Sequence, residues 1–429
     1  MNKQILRLAI PNIITTITVP LLGMVDVAIV GHLNSEYYIG AIAIGTMIFN
    51  LIYWNFGFLR MGTTGFTAQA YGAVDKEEIA QILGRSLFIA LSISIVLIAL
   101  QYPIKTLAFK LIQASESVEK HAIEYFNIVI WGAPAILCLY ATKGWFIGMQ
   151  NAKLPMWIAI QINVVNIVLS FIFVFTLGMK IKGVALGSVL AQYIGLLTTI
   201  ILWLIHYRKY LQYISIKKIV AWDKMIHFFR LNTDIFLRSL CLIAVFSFIP
   251  AEGAKLGDTT LAVNTLLMQF FTLFSYIVDG FAYAGESLIG RYIGSNNQSL
   301  VRKAIRYLFI WGSILTVLFT VMYAIFGKHI LSIFTNNLHI IQEAQTYYFW
   351  VLIVPITGFS AFIWDGILVG ATAGKIMRNA IFIATAVFFA TYYVLSNTMH
   401  NNALWLAFVF FLLLRGVLQG IFSRKLFYQ

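Results

Sequence analysis

The chain has 429 residues, of which 60% are hydrophobic and only 11% are charged. Soluble globular domains carry about 25% charged residues, so this composition excludes a soluble protein and predicts an all-α integral membrane protein. A net charge of +14 would suggest a nucleic-acid partner for a soluble protein, but in a membrane protein it reflects which loops face which side. We therefore expect no nucleic-acid partner.

Apolar blocks separated by charged or Gly- and Asn-rich breaks predict twelve transmembrane helices. The predicted spans cover residues 5–31, 37–70, 82–102, 122–149, 155–178, 183–207, 232–254, 260–293, 303–326, 345–371, 379–398 and 402–423. Lys3 and Arg7 lead directly into the first span, so we expect it to be retained and not cleaved as a signal peptide. Lys and Arg concentrate in alternate loops if the N-terminus is inside, which predicts that both termini are cytoplasmic.

The first span contains one acidic residue, Asp26. A carboxylate inside a bilayer is costly, and such residues usually face a cavity or a partner and serve transport or proton relay. Because removal from water favours the protonated form, Asp26 is a candidate proton carrier. The alternative is that Asp26 lies at the outer interface in water, eight residues before the polar turn predicted at Asn34.

The fifth span carries a polar stripe at three- and four-residue spacing, formed by Gln161, Asn163, Asn166 and Ser170. Ser188, early in the sixth span, could meet this stripe across the helix pair. The alternative is that these groups only form hydrogen bonds between helices.

The longest break in hydrophobicity falls near the middle of the chain. It predicts an N-terminal six-helix lobe at 1–206, a cytoplasmic linker at 207–230 and a C-terminal six-helix lobe at 231–429. The simplest interpretation of the linker is a solvated basic loop beside an anionic leaflet.

A shift of about 222 residues aligns features of the two halves and predicts an internal repeat. Gly72 falls on Gly294, and Gly148 falls on Gly370. Because six spans separate the copies, both halves have the same orientation. This predicts two pseudo-symmetric lobes around a central cavity.

Acidic, aromatic and amide residues of several spans are candidates for the wall of that cavity. Asp279 and Glu286 lie two turns apart on the eighth span, and Asp365 lies in the tenth. The candidate aromatic and amide residues are Tyr53, Asn163, Tyr276 and Tyr283. The alternatives are that Asp279 and Glu286 pair with Arg291, Arg238 or Lys143, and that the aromatic residues form core or interfacial belts.

Several catalytic motifs are absent from the sequence. There is no phosphate-binding loop, no Gly-x-Ser-x-Gly elbow and no His/Cys cluster with metal-ligand spacing. Cys138 and Cys241 lie in apolar runs and indicate no disulfide framework or metal site. We therefore expect neither an enzyme nor a bound cofactor or metal.

A series of motifs is spread over nearly the whole chain. They run from Leu21 to Leu33, Ile44 to Asn50, Asn55 to Gly65, Ala68 to Gly72, Ser275 to Glu286 and Asp365 to Thr372. In these motifs the chain resembles the multidrug and toxic compound extrusion (MATE) family, and its DinF-like subgroup most. The resemblance implies a monomeric antiporter of the bacterial plasma (inner) membrane that exports amphipathic, often cationic drugs or metabolites by alternating access.

The resemblance also implies a cation-coupling site. Related members place an Asp on the first helix, an Asn and an Asp on the fifth and a Thr on the sixth. Asp26 and Asn166 match the first two, and Ser188 keeps the hydroxyl of the Thr, but Ser170 stands where the second Asp would be. Because a hard cation prefers charged oxygen ligands, this departure favours H⁺ as the coupling ion, with Na⁺ as the alternative.

Two other functions stay open from the sequence. One is a lipid-linked oligosaccharide flippase of the same superfamily, which usually has additional helices and a strongly cationic cavity. The other is a membrane-embedded lipid transferase, which would need a cluster of His, Asp or Arg at one membrane face. For the exporter, we expect a small amphipathic substrate and membrane lipids as the partners.

Overall fold

The computed structural model describes residues 1–32, 36–112 and 114–427, and within these ranges the chain is helical with no β-strand. The turn predicted at Asn34 lies outside them. Twelve of the described helices are long and apolar enough to cross a membrane, which confirms the predicted all-α fold with twelve spans. They are α1 (Asn2–Gly31), α2 (Tyr37–Gly72), α3 (Lys76–Ala99), α4 (Glu116–Gly148), α5 (Lys153–Thr176), α6 (Lys180–Tyr213), α7 (Trp222–Lys255), α8 (Asp258–Gly294), α9 (Gln298–Phe334), α10 (Tyr348–Gly370), α11 (Gly374–Met399) and α12 (Asn401–Phe427).

Some of these helices are interrupted in the first half of the chain. The breaks are a turn between Glu36–Asn55 and Phe58–Gly72 in α2, a 3₁₀ turn at Ile130–Gly132 in α4, a π-helical turn at Ile172–Thr176 ending α5 and a 3₁₀ segment at Arg208–Tyr213 ending α6. Pro134 follows the break in α4. Because proline cannot donate a backbone hydrogen bond, the regular α-helical pattern is interrupted there by a 3₁₀ turn.

The turns after α2, α4, α8 and α10 share one geometry. In each turn a residue that is not glycine adopts the left-handed conformation: Val74 (φ 59°), Gln150 (φ 62°), Asn296 (φ 52°) and Thr372 (φ 52°). Such turns hydrogen-bond the last carbonyl groups of a helix. Val74 pairs with Asn296, and Gln150 with Thr372, at the same shift that aligns Gly72 with Gly294, so the structure agrees with the predicted repeat.

Two helix pairs, α2 with α4 and α8 with α10, pack so closely at glycine that their backbones touch. We call them the glycine seams. A Cβ atom added at each glycine would approach a carbonyl oxygen of the facing helix: Gly144 and Arg60 (2.3 Å), Gly148 and Thr64 (2.9 Å), Gly366 and Ala282 (2.2 Å), Gly370 and Glu286 (2.5 Å). Small residues four apart permit this approach, which is typical of helix packing in membranes.

The segment assigned to the linker, 207–230, is more ordered than a solvated loop. It contains the end of α6 and a short helix at Ile216–Ile219, and α7 already begins at Trp222. Lys218 pairs with Glu77, and the Lys224 ammonium lies 3.8 Å from the Glu78 carboxylate, both at the start of α3.

Arg85 also holds this segment. Its side chain is buried, and its guanidinium donates to the carbonyl oxygens of Ile219 (3.3 Å) and Lys218 (3.5 Å). The acidic start of α3 therefore neutralises part of the basic charge that suggested a solvated loop.

The chain divides into two compact units, Ile14–Phe228 and Met1–Ile13 with Phe229–Gln429. In the second of these, the start of α1 is held by hydrogen bonds. The Tyr292 hydroxyl donates to Gln4 (2.9 Å), and the Trp311 indole donates to Asn2 (3.2 Å). The N-terminus therefore lies at the same end of this unit as the turn between α8 and α9.

Candidate functional site

Three of the predicted coupling residues meet between α5 and α6. The Asn166 side-chain amide donates to the Ser188 hydroxyl (2.8 Å), and the Ser170 hydroxyl donates to the side-chain oxygen Oδ1 of Asn166 (3.5 Å). Asn166 and Ser170 are buried, and Ser188 is half-buried. Gly187 permits this approach, because a Cβ there would lie 2.7 Å from the Ser170 hydroxyl oxygen.

The same polar stripe reaches α1. The Asn163 amide donates to the backbone carbonyl of Thr18 (3.2 Å), eight residues before Asp26 and therefore about two helical turns away. Gln161 instead faces α6, where its amide donates to the Thr198 hydroxyl (2.8 Å). The stripe therefore divides its contacts between two neighbouring helices.

Asp26 is half-buried, and its Oδ1 atom is shielded from solvent and has no hydrogen-bond partner among the residues that the structure describes. Among the described residues it forms no ion pair, and no described hydrogen bond joins it to Asn166, Ser170 or Ser188. The Tyr125 hydroxyl on α4 is close enough to Asp26 for the two groups to interact electrostatically. An uncompensated carboxylate in such surroundings is costly, so a proton or cation there would be stabilising.

Tyr53 lies in an aromatic cluster beside Tyr125. Its ring stacks on Phe49 with centroids 5.6 Å apart, and its buried hydroxyl has no hydrogen-bond partner within the described ranges. Tyr140 also lies within electrostatic range of that hydroxyl. The residue predicted to line a cavity therefore belongs to the packed interior around Asp26, within one unit.

The candidates on α8 differ in exposure. Tyr276, Asp279 and Tyr283 are half-buried, whereas Glu286 is only 1% exposed. Asp279 lies within electrostatic range of Arg415 on α12. Glu286 lies at a glycine seam, where its backbone carbonyl oxygen faces Gly370.

Asp365 forms a buried polar cluster with three residues of two other helices. Arg238 of α7 donates to its Oδ2 atom, Arg415 of α12 donates to the same oxygen at 2.5 Å, and Gln419 donates to Oδ1 at 2.7 Å. All four residues are at most 8% exposed. Asp365 thus ties α7, α10 and α12 together, and both of its oxygens are engaged.

The sequence analysis predicts none of the partners of Asp365. The sequence offers Arg238 as a partner for Asp279 or Glu286, whereas in the structure Arg238 pairs with Asp365. Arg415 and Gln419 were not singled out. A usable signal existed, because an arginine and a glutamine lie one turn apart inside the otherwise apolar last span.

Within the part of the chain that the structure describes, no group of three or more His, Cys, Asp or Glu residues could hold a metal ion. Twelve helices that are long and apolar enough to cross a membrane, with buried carboxylates, amides and hydroxyls among them, are typical of a secondary transporter. The family model described as MatE matches residues 11–172 and 235–394, and the chain belongs to this family. The two matches repeat the spacing that the internal alignment predicts.

Relatives and solved structures agree with this assignment. The chain is 38% identical to the DNA damage-inducible protein F of Escherichia coli (strain K12), over 99% of this chain and 92% of that protein. It is 23% identical to the probable multidrug resistance protein NorM of Thermotoga maritima, over 80% of this chain and 74% of that protein. A crystal structure of MATE in the bent conformation has the same fold, with a TM-score of 0.87, 22% identity and coverage of 99% of this chain and 95% of that one.

The resemblance to the MATE family and its DinF-like subgroup is therefore confirmed. Members of the family are transporters and not enzymes, so the protein is a multi-pass membrane transporter. The alternative of a lipid transferase is wrong.

Proposed function

We propose that this transporter exports amphipathic, often cationic drugs or metabolites in exchange for protons, by alternating access. Support for the substrate class comes from the relatives named multidrug resistance proteins. The observation that carries the proton coupling is the shielded Oδ1 atom of Asp26, which lies in a membrane span and has no hydrogen-bond partner in the described part of the chain.

Protonation changes which surroundings stabilise the Asp26 carboxyl group. A neutral carboxyl is tolerated beside the aromatic cluster, whereas an ionised one favours water or hydrogen-bond donors. The polar stripe of α5 contacts the same helix two turns away, at Thr18. A proton that binds in one conformation and leaves in another can therefore bias the equilibrium between them, since ligands shift populations by differential affinity.

The residues around Asn166 favour H⁺ over Na⁺. The oxygens that they offer are the neutral groups of Asn166, Ser170 and Ser188. A hard cation such as Na⁺ binds best where carboxylates supply charged oxygens. Na⁺ remains the alternative coupling ion.

We further propose that the protein acts as a monomer in a bacterial plasma (inner) membrane with both termini cytoplasmic. The excess of Lys and Arg in the loops on the N-terminal side supports this orientation. The origin of the Escherichia coli relative supports the bacterial membrane.

The test uses purified protein in liposomes with an imposed pH gradient and ethidium as the cationic probe. Wild type should move ethidium against its gradient and release protons in exchange, at a rate independent of Na⁺ at fixed pH. Asp26→Asn should insert and fold, yet lose gradient-driven transport, because an amide cannot take up and release a proton.

Asp258→Asn is the matched control, because Asp258 is an exposed carboxylate at the start of α8. It should transport at the wild-type rate. Wild-type rates from Asp26→Asn would remove Asp26 from the mechanism, and strong stimulation by Na⁺ at fixed pH would contradict proton coupling. Movement of a lipid-linked oligosaccharide in place of ethidium would favour the flippase.

A further inference from the structure

The surface of α9 carries a groove that the transport mechanism does not use. Its volume is about 860 Å³, and all of its lining residues belong to α9 except Trp364 of α10. The lining residues are Arg302, Ile305, Arg306, Phe309, Ile310, Ser313, Ile314 and Trp364. The groove combines two cations with an apolar floor.

The cations lie at one end of the groove. Arg302 and Arg306 are exposed, one helical turn apart on one face of α9. Neither has a hydrogen bond or an ion pair among the described residues, and no acidic residue lines the groove. Like charges one turn apart destabilise a helix, so an anion shared by both guanidinium groups would be stabilising.

The same face of α9 continues as an apolar stripe. Ile310 and Ile314 lie 43% and 49% exposed, roughly 12 Å and 18 Å from Arg302 along the helix axis at 1.5 Å per residue. The small side chain of Ser313 leaves space between them. Phe309 and Trp364 form one wall of the groove, with ring centroids 5.3 Å apart. An occupant therefore needs an anionic head and an apolar tail.

The groove also lies at a defined end of its unit. It begins at the start of α9, and the nearby Trp311 indole is hydrogen-bonded to Asn2. This end therefore carries the N-terminus, which the distribution of Lys and Arg assigns to the cytoplasm. Anionic lipids concentrate in the cytoplasmic leaflet, and basic pockets between helices on that side bind their head groups.

We propose that this groove binds an anionic phospholipid, with its phosphate between Arg302 and Arg306 and one acyl chain along Ile310, Ser313 and Ile314. The phosphate accepts hydrogen bonds from both guanidinium groups, and the acyl chain covers the exposed apolar stripe. The proposal does not depend on which substrate or ion is transported.

The test measures lipid binding to the delipidated protein in detergent, by native mass spectrometry and by the thermal unfolding midpoint. The probes are phosphatidylglycerol, phosphatidylcholine and inorganic phosphate. Phosphatidylglycerol should bind and raise the midpoint, whereas phosphatidylcholine and inorganic phosphate should not. Arg302→Gln/Arg306→Gln should weaken phosphatidylglycerol binding roughly 25-fold, since each basic residue near an anionic surface contributes about a factor of five.

Lys303→Gln/Lys375→Gln is the matched control, because both lysines are exposed, lie on the same predicted side and do not line the groove. It should bind phosphatidylglycerol as wild type does. Ser313→Trp keeps both arginines but fills the path of the acyl chain, so it should also weaken binding and serves if the arginine variant does not fold.

Three results would overturn the proposal. They are equal binding of phosphatidylcholine and phosphatidylglycerol by wild type, unchanged phosphatidylglycerol binding in the arginine variant, and the full shift in midpoint with inorganic phosphate alone. The last would assign the arginines to a free anion and not to a lipid.

Discussion

Replacement of Asp365 by asparagine tests whether its cluster holds the helices together or serves transport. Asp365→Asn keeps the size of the side chain but removes its negative charge. Arg238 and Arg415, which are 8% and 2% exposed, would then face each other without the carboxylate that both contact. Removal of one partner from a buried ion pair costs about 3–5 kcal/mol.

The remaining charges set the expected value within this range. Asp279 lies within electrostatic range of Arg415 and would remain as a more distant counter-charge. We therefore expect the free energy of unfolding to fall by about 3 kcal/mol. The measurement is equilibrium unfolding in mixed micelles of increasing SDS content, followed by tryptophan fluorescence, with Asp258→Asn as a control that should match wild type.

A combined variant, Arg238→Met/Asp365→Leu/Arg415→Met, replaces the whole ionic cluster by apolar side chains. It therefore distinguishes the cost of an unpaired buried charge from the cost of poor packing. Because apolar residues of similar volume often replace a buried ion cluster without loss, this variant should recover most of the lost stability. If Asp365→Asn unfolds at the same SDS content as wild type, Asp365 is not the counter-charge that we infer. A stable Asp365→Asn protein that fails to transport would instead assign Asp365 to the substrate or proton path.

Three further changes test local features of the fold. Gly366→Ala should lower the free energy of unfolding by about 1–3 kcal/mol, because its Cβ would lie 2.2 Å from the Ala282 carbonyl oxygen. Val74→Asn should raise the thermal unfolding midpoint, since Val74 adopts a left-handed φ of 59° that asparagine tolerates better and that Asn296 adopts at the equivalent position. Arg85→Gln should speed limited tryptic cleavage within 216–221, because the arginine holds two carbonyl groups of that segment.

Each of these changes has its own control or contrary outcome. Gly358→Ala, also on α10, should be tolerated because the nearest atom to its Cβ would be 3.5 Å away. An unchanged or lower midpoint for Val74→Asn would show that the left-handed turn is not strained. If Arg85→Gln is cleaved at the wild-type rate, the contacts to α3 do not order the linker segment.

The sequence was sufficient to predict features that depend on neighbours along one helix. Long apolar runs predict the twelve spans. The three- to four-residue spacing predicts that Asn166 and Ser170 lie on one face of α5, where they could meet Ser188 of α6. Shifted glycines predicted the repeated turns after Gly72 and Gly294. Each of these depends on local periodicity or on similarity between the two halves.

Contacts between distant helices could not be predicted in this way. Asp365 and Arg415 are separated by 50 residues, and nothing in the periodicity of either span identifies the other as its partner. The contacts of the linker segment are beyond local periodicity for a similar reason. Lys218 and Lys224 are exposed, but they pair with Glu77 and Glu78, which lie far away in the sequence.

The glycine seams determine where each unit can deform. At Gly144 and Gly366, backbone lies directly on backbone, so no layer of side chains exists whose rotamers could rearrange to let one helix slide past the other. We therefore expect the pair α2 and α4, and the pair α8 and α10, each to move as a rigid body near these contacts. Bending must then be absorbed elsewhere, and the irregular backbone at Ile172–Thr176 is such a position, next to the polar stripe that would sense the coupling ion.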